Sequence, residues 1–119
     1  MHTPRAVFFD IDRTLYDHRS DYISPASLAA IAALRARGII PAIATGRGYA
    51  ALPPAIARLV AAGEIELVIA SNGQYNRHGD RVLSAHPLPV AEIASLIAAF
   101  RARDWEYTFV SERHMAAGL

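Results

Sequence analysis

The chain has 119 residues, 53% of them hydrophobic, enough to build one small globular unit or part of a larger one and too apolar for a disordered segment. A formal net charge of +1, with no run of like charges, excludes association with nucleic acid or an anionic membrane driven by bulk charge. The amino terminus meets acidic residues too early for a secretory signal, and no apolar run approaches the roughly 20 residues that cross a bilayer, so a soluble, cytoplasmic protein is expected; the absence of cysteine excludes disulfides, a thiolate nucleophile and Cys-based zinc sites.

Arg5 to Ile11 reads as a short strand rich in Val, Phe and Ile, and the polar residues that follow, Asp17 to Asp21 among them, read as a loop. Ser24 is placed to cap a helix that begins at Pro25, carries Leu28, Ile31 and Leu34 on one face, and stops at Gly38. "IIPAIA" (39–44) is a second apolar strand in which Pro41 cannot donate a ladder hydrogen bond. A second helix runs from Pro53-Pro54 through Ile56, Leu59 and Val60 to Gly63, and "ELVIA" (66–70) is a third strand. This βαβαβ order predicts an α/β fold, Rossmann-like, with a parallel sheet covered on both faces and right-handed crossovers.

After "SNG" (71–73) the pattern changes. "QYNRHGDRVLSAH" (74–86) reads as a β-hairpin around Gly79-Asp80. "PLPVAEIASLIAAFRARDW" holds a helix with Ile93, Leu96, Ile97 and Phe100 on one face, and "WEYTFVS" (105–111) a last strand. The expected division is a partial core over 1–83 and the beginning of an α/β cap over 84–119.

Asp10 and Asp12 stand two residues apart at the end of the first strand, so in an extended chain both project to the same side. That carboxyl edge is where open α/β sheets bind ligands. Two close carboxylates repel unless a cation or proton compensates, and an oxygen-only donor pair favours magnesium over zinc. One carboxylate could then attack phosphorus while the other handles the proton. The plainer alternative makes Asp12 or Thr14 a turn residue at a strand exit. Thr45, Gly46, Arg47 and Gly48 offer a hydroxyl and free amides before the next helix, as a phosphate cradle requires. An ordinary glycine loop is the alternative there, because "TGRG" matches neither common nucleotide-binding pattern. The five histidines lack metal-site spacing and suit exposed loops. Trp105, Tyr107 and Phe109 alternate as packing residues of a half-buried strand.

"VFFDIDRTL", "IIPAIATGRGYAALPPAIARL" and "LVIASNGQYNRHGDRVL" together resemble the haloacid dehalogenase superfamily, in its Cof-type, sugar-phosphatase-like branch with an α/β cap after the third strand. The resemblance covers essentially the whole chain. It implies a magnesium-dependent phosphomonoester hydrolase acting on small phosphorylated metabolites. Asp10 would be the nucleophile that forms an aspartyl-phosphate, and Asp12 the general acid/base, with both at the metal and Asp12 contributing its backbone carbonyl. Thr45 would hold the phosphoryl group, with Gly46 and Arg47 beside it, and Asn72 and Gly73 would sit at the rim where core passes to cap.

The sequence departs from that pattern at Arg13, where most relatives have glycine; a cation there could restrict the backbone, or pair with Asp12 or a substrate phosphate. The family's third motif, a basic residue, and its fourth, an acidic cluster, lie after the cap, and nothing in these residues matches them. All twelve basic residues are arginine. The expectation is therefore an amino-terminal part of a phosphatase with weak turnover, whose first strand lacks a neighbour on one edge and favours a homodimer. Two rivals follow. A catalytically inactive phosphate-binding or assembly module would keep the fold without chemistry. A receiver-like signalling domain would need an acceptor aspartate at the end of the third strand, where Ala70-Ser71-Asn72 stands instead.

Overall fold

The computed structural model describes residues 2–118. Strand β1 (Ala6–Phe9) leads through helix α1 (Pro25–Ala36) to β2 (Ile40–Ala44), and α2 (Pro54–Ala61) leads to β3 (Leu67–Ala70). The hairpin β4 (Tyr75–His78) and β5 (Arg81–Ala85) extends the same sheet, and α3 (Val90–Arg101) is followed by a separate hairpin, β6 (Tyr107–Val110) and β7 (Met115–Gly118). The main sheet has the order β1-β2-β3-β4-β5, parallel across the first three strands and antiparallel beyond. The α/β fold and βαβαβ opening expected from the sequence are present.

Local chemistry accounts for the elements. The Ser24 hydroxyl accepts the Ser27 amide at 3.1 Å and caps α1, with Pro25 at its first position. Pro41 is tolerated inside β2 because β3 begins opposite Ala42. Pro41 lies level with Glu66, just before β3, and its carbonyl still accepts the Glu66 amide at 3.2 Å. Helix α2 starts on two prolines and has no capping side chain of its own. The Asp21 carboxylate, from the loop after β1, accepts the Ala55 amide at 3.1 Å and does that work from a distance.

Ile11, Ile31, Ile43, Ile56, Ile65 and Val68 are each no more than 2% exposed and form one cluster. That cluster joins both helices to alternate residues of the strands, so α1 and α2 cover the same face. The expectation of cover on both faces is met on one. With neighbouring strands in sequence order, two crossovers of the same hand fall on the same side. Phe8, on the opposite face of the edge strand β1, is 52% exposed. The second hairpin packs against α3 through Phe100 and Tyr107, whose ring centroids are 5.4 Å apart. No strand was expected beyond residue 111. Strand β7, "MAAG", has no β-branched residue and is a strand by virtue of its pairing with β6. No described helix is long and apolar enough to cross a membrane.

Candidate functional site

Three loops leave the carboxyl ends of three adjacent parallel strands, and they hold Asp10 and Asp12, Thr45 to Arg47, and Asn72 and Gly73. The β1–β2 register pairs Phe9 with Ile43, which sets Asp10 level with Ala44, one residue before Thr45. The β2–β3 register pairs Ala44 with Ile69, which brings Thr45 beside Ala70 and the Ser71–Gly73 turn.

The first loop is anchored by Ile11, fully buried, whose carbonyl accepts the amides of Thr14, Leu15 and Tyr16 at 3.3, 3.1 and 3.0 Å. Burial of Ile11 at the strand end leaves Asp10 exposed, its Oδ1 accepting the Ile11 amide at 2.8 Å. Asp12 turns toward the second loop. Its two carboxylate oxygens take a fork from Arg47, Nε to Oδ2 at 3.0 Å and Nη2 to Oδ1 at 2.8 Å. The hydrogen bonds from Arg47 hold the Asp12 carboxyl below the usual carboxylate range, against a smaller opposing effect of desolvation, and the nearby charges of Arg47, His18 and Arg13 act in the same direction as the fork. Arg47 is raised above its ordinary value by the same hydrogen bonds.

Arg13 does not take Asp12, although the sequence allowed that pairing. It adopts φ +63°, the left-handed conformation that glycine occupies without strain. Its side chain has no ion-pair partner among the described residues.

The second and third loops are laced together. The buried Thr45 hydroxyl accepts the Arg47 amide at 3.0 Å, the Thr45 carbonyl accepts the Asn72 amide at 3.1 Å, and the Arg47 carbonyl accepts the Ser71 amide at 2.8 Å. A Cβ on Gly46 would come within 3.1 Å of Asn72 Oδ1, so the absence of a side chain there lets the two loops close. Ser71, Asn72 and Gly73 have φ of +50°, +54° and +90°, three successive residues in a region costly for the first two. Such conformations survive where the surroundings over-determine them, which the bonds from Thr45 and Arg47 do.

Beyond the third loop a cleft of about 640 Å³ opens between the core and the second hairpin, with Tyr49, Ser71, Tyr75, Phe109, Glu112 and His114 among its lining residues. Tyr75 donates to Glu112 Oε2 at 2.7 Å and ties β4 to the β6–β7 turn. The sequence singled out neither residue, and their spacing carried no signal, because the contact depends on how the hairpin docks.

Asp10 and the Asp12 carbonyl are hard oxygens of the kind magnesium takes, but they amount to two of about six positions. The Asp12 carboxylate is engaged by Arg47, and no group of three or more His, Asp or Glu side chains gathers among the described residues. These residues would therefore supply only part of the ligand set that magnesium requires. All five histidines are exposed, as their spacing suggested.

The sequence pattern of haloacid dehalogenase-like hydrolases matches residues 7–117. The chain belongs to this family. It is 30% identical over 113 residues to YkrA of Bacillus subtilis, a protein named as a phosphatase by assignment, covering 95% of this chain and 42% of that one. Among solved structures it is similar to the subclass IIB sugar phosphatase BT4131, with a TM-score of 0.78 and 29% identity over 95% of this chain and 43% of that one. A Geobacillus kaustophilus protein gives a TM-score of 0.81 and 27% identity over 98% and 44%. The chain thus spans less than half the length of these relatives.

Proposed function

We propose that the chain carries the nucleophile, the acid/base and the phosphate cradle of a magnesium-dependent phosphomonoester hydrolase for small phosphorylated metabolites, sugar phosphates among them, working in the cytoplasm. The observation that carries this reading is the convergence of Asp10-Asp12, Thr45–Arg47 and Ser71–Gly73 on one edge of the sheet, hydrogen-bonded loop to loop. In this reading residues 1–83 are a partial core and 84–119 the start of a cap.

An Asp10 carboxylate oxygen attacks phosphorus, the ester P–O bond breaks, and the leaving oxygen takes a proton from Asp12. Water then attacks the aspartyl-phosphate and returns a proton to Asp12, and the bond to Asp10 breaks to release inorganic phosphate. Thr45, Gly46 and Arg47 hold the phosphoryl group with Asn72 and Gly73 at the rim. Magnesium, with Asp10 and Asp12 as two of its ligands, would neutralise charge on the phosphate. The fork from Arg47 favours ionised Asp12, the form that accepts the proton from water.

A second reading rests on the same fork. With Asp12 fully engaged and the metal site incomplete among the described residues, this chain is a phosphate-binding module of low or no turnover. Magnesium-dependent phosphate release from a panel of phosphate esters, compared with Asp10→Asn, decides: turnover lost in the variant supports the hydrolase, and binding without turnover in both supports the module. The edge position of β1 and its exposed Phe8 support a homodimer formed there; a monomeric mass by light scattering at high concentration would rule it out.

A further inference from the structure

Arg13, His18 and Arg19 line a groove of about 560 Å³ together with Thr14, Asp17 and Tyr22. All three basic side chains are exposed, and among the described residues none has an ion-pair or side-chain hydrogen-bond partner. Elsewhere Arg47, Arg58 and Arg113 each stand against a carboxylate. The groove's own acid, Asp17, accepts the Arg19 amide at 2.9 Å, and one negative charge faces two permanent positive ones, with His18 adding a third when protonated. In a chain of net charge +1, this grouping is a local excess that an anion would relieve.

The groove begins beside the site, because Arg13, one of its lining residues, follows Asp12 directly. Arg13 also keeps its side chain at φ +63°, where glycine would be free of strain. A long cation held at a conformational cost beside the reacting loop has a function that repays the strain.

We propose that this groove is a second anion subsite, and that it takes a second phosphate or a carboxylate carried on the leaving group of the phosphate ester. The inference rests on the phosphatase reading and narrows it to substrates with two anionic groups. The guanidinium groups of Arg13 and Arg19 supply forked donors, with the Thr14 and Tyr22 hydroxyls beside them.

The test is an NMR titration of the 119-residue chain, following the amides of Thr45 and Gly46 and those of Arg13 and Arg19. The probes are n-propyl phosphate, propane-1,3-diyl bisphosphate and inorganic phosphate. The bisphosphate is expected to bind about tenfold more tightly than the monoester or more, moving both sets of amides at one stoichiometry. Arg13→Gly and Arg19→Gln should each remove most of that advantage. Arg13→Gly is informative because glycine suits the left-handed backbone, so a loss of affinity in a chain that melts no lower is not a folding defect. Equal affinity for monoester and bisphosphate, with the monoester at Thr45 and Gly46, overturns the inference and leaves the phosphatase reading standing. So does an advantage that survives both substitutions, or inorganic phosphate filling the groove while the bisphosphate gains nothing. No binding of any probe, or shifts that leave Thr45 and Gly46 unmoved, overturns both.

Discussion

Asp12 and Arg47, 35 residues apart, meet in a two-pronged ion pair that ties the loop after β1 to the loop after β2. The third guanidinium nitrogen, Nη1, donates to the Ala51 carbonyl at 3.2 Å, so all three nitrogens of the side chain are used. The arginine is thereby fixed at both ends, and the Asp12 carboxylate has one orientation.

Removing the fork should release Asp12. In Arg47→Met the Asp12 carboxyl is expected to titrate higher, toward the ordinary carboxylate value near 3.9, as read from its side-chain carbonyl carbon by NMR. Asp12 is depressed in the folded chain, so the pair stabilises at pH above the unfolded value and that contribution disappears as pH falls through the folded one. The two side chains are 36% and 43% exposed, which limits the loss to about 0.2–1 kcal/mol near neutral pH. Arg47→Lys should recover part of the pKa depression and not the orientation, because an ammonium cannot fork. An Asp12 titration identical in wild type and Arg47→Met would show that the fork does not hold in solution.

Arg13→Gly should raise the melting temperature. A non-glycine residue in the left-handed region costs about 1–2 kcal/mol, partly offset by the greater freedom glycine has when unfolded, about 0.4–1 kcal/mol. The net expectation is a gain of roughly 0.5 kcal/mol, or about 2 °C for a chain of this size. Arg13→Ala, which keeps the strain, should not share the gain. A lower melting temperature for Arg13→Gly would mean that the guanidinium makes a stabilising contact worth more than the strain.

What the sequence displayed and what it hid divide by range. Ser24 and Pro25 announced α1, the Gly79-Asp80 pair announced the β4–β5 turn, and two aspartates after an apolar run marked the first loop of the candidate site, because each signal lies within a few residues. Arg47 stood out as a cradle residue, yet its grip on Asp12 depends on β1 and β2 lying side by side in one register. Cover on both sheet faces was expected from the apolar strands alone, and the single-sided packing follows from strand order, which periodicity does not encode. β7 was invisible since Met115, Ala116 and Ala117 carry no strand preference of their own; Tyr107, packed over Gly118, belongs to the pairing that makes it a strand.

Asp21 should matter more than an exposed loop residue usually does. Its Oδ1 accepts both the Ala55 amide, 34 residues away, and the Tyr16 hydroxyl at 3.0 Å, while Oδ2 lies 3.3 Å from Arg58 Nη2. The Ala55 amide above all, then the Tyr16 hydroxyl and Arg58, hold its carboxyl below the ordinary range. The contribution is therefore present above the unfolded value and lost as pH falls through the folded one. Asp21→Ala is expected to lower the melting temperature by a few degrees at neutral pH, and the gap to wild type should narrow in acid. Hydrogen exchange at Ala55 should accelerate in the variant; unchanged protection there would show that α2 does not depend on the remote cap.

Gly48 is the point where the second hairpin meets the cradle loop, and its glycine is a matter of space rather than backbone freedom, with φ at −65°. A Cβ built there would overlap Val110 Cγ1 and lie 3.2 Å from Val110 Cβ. Gly48→Ala should therefore push the β6–β7 turn off the core, strain the Tyr75–Glu112 hydrogen bond and destabilise by about 1–3 kcal/mol. Val110 is 46% exposed, so Val110→Ala alone should cost little, yet it removes the overlapping methyl. The double variant should recover much of the loss, giving a coupling of roughly 0.5–2 kcal/mol in a thermodynamic cycle. Tyr75→Phe supplies the control. If hairpin docking is what Gly48→Ala disrupts, removal of the Tyr75 hydroxyl will destabilise wild type more than it destabilises Gly48→Ala, and equal losses in the two backgrounds would place the damage inside the cradle loop instead.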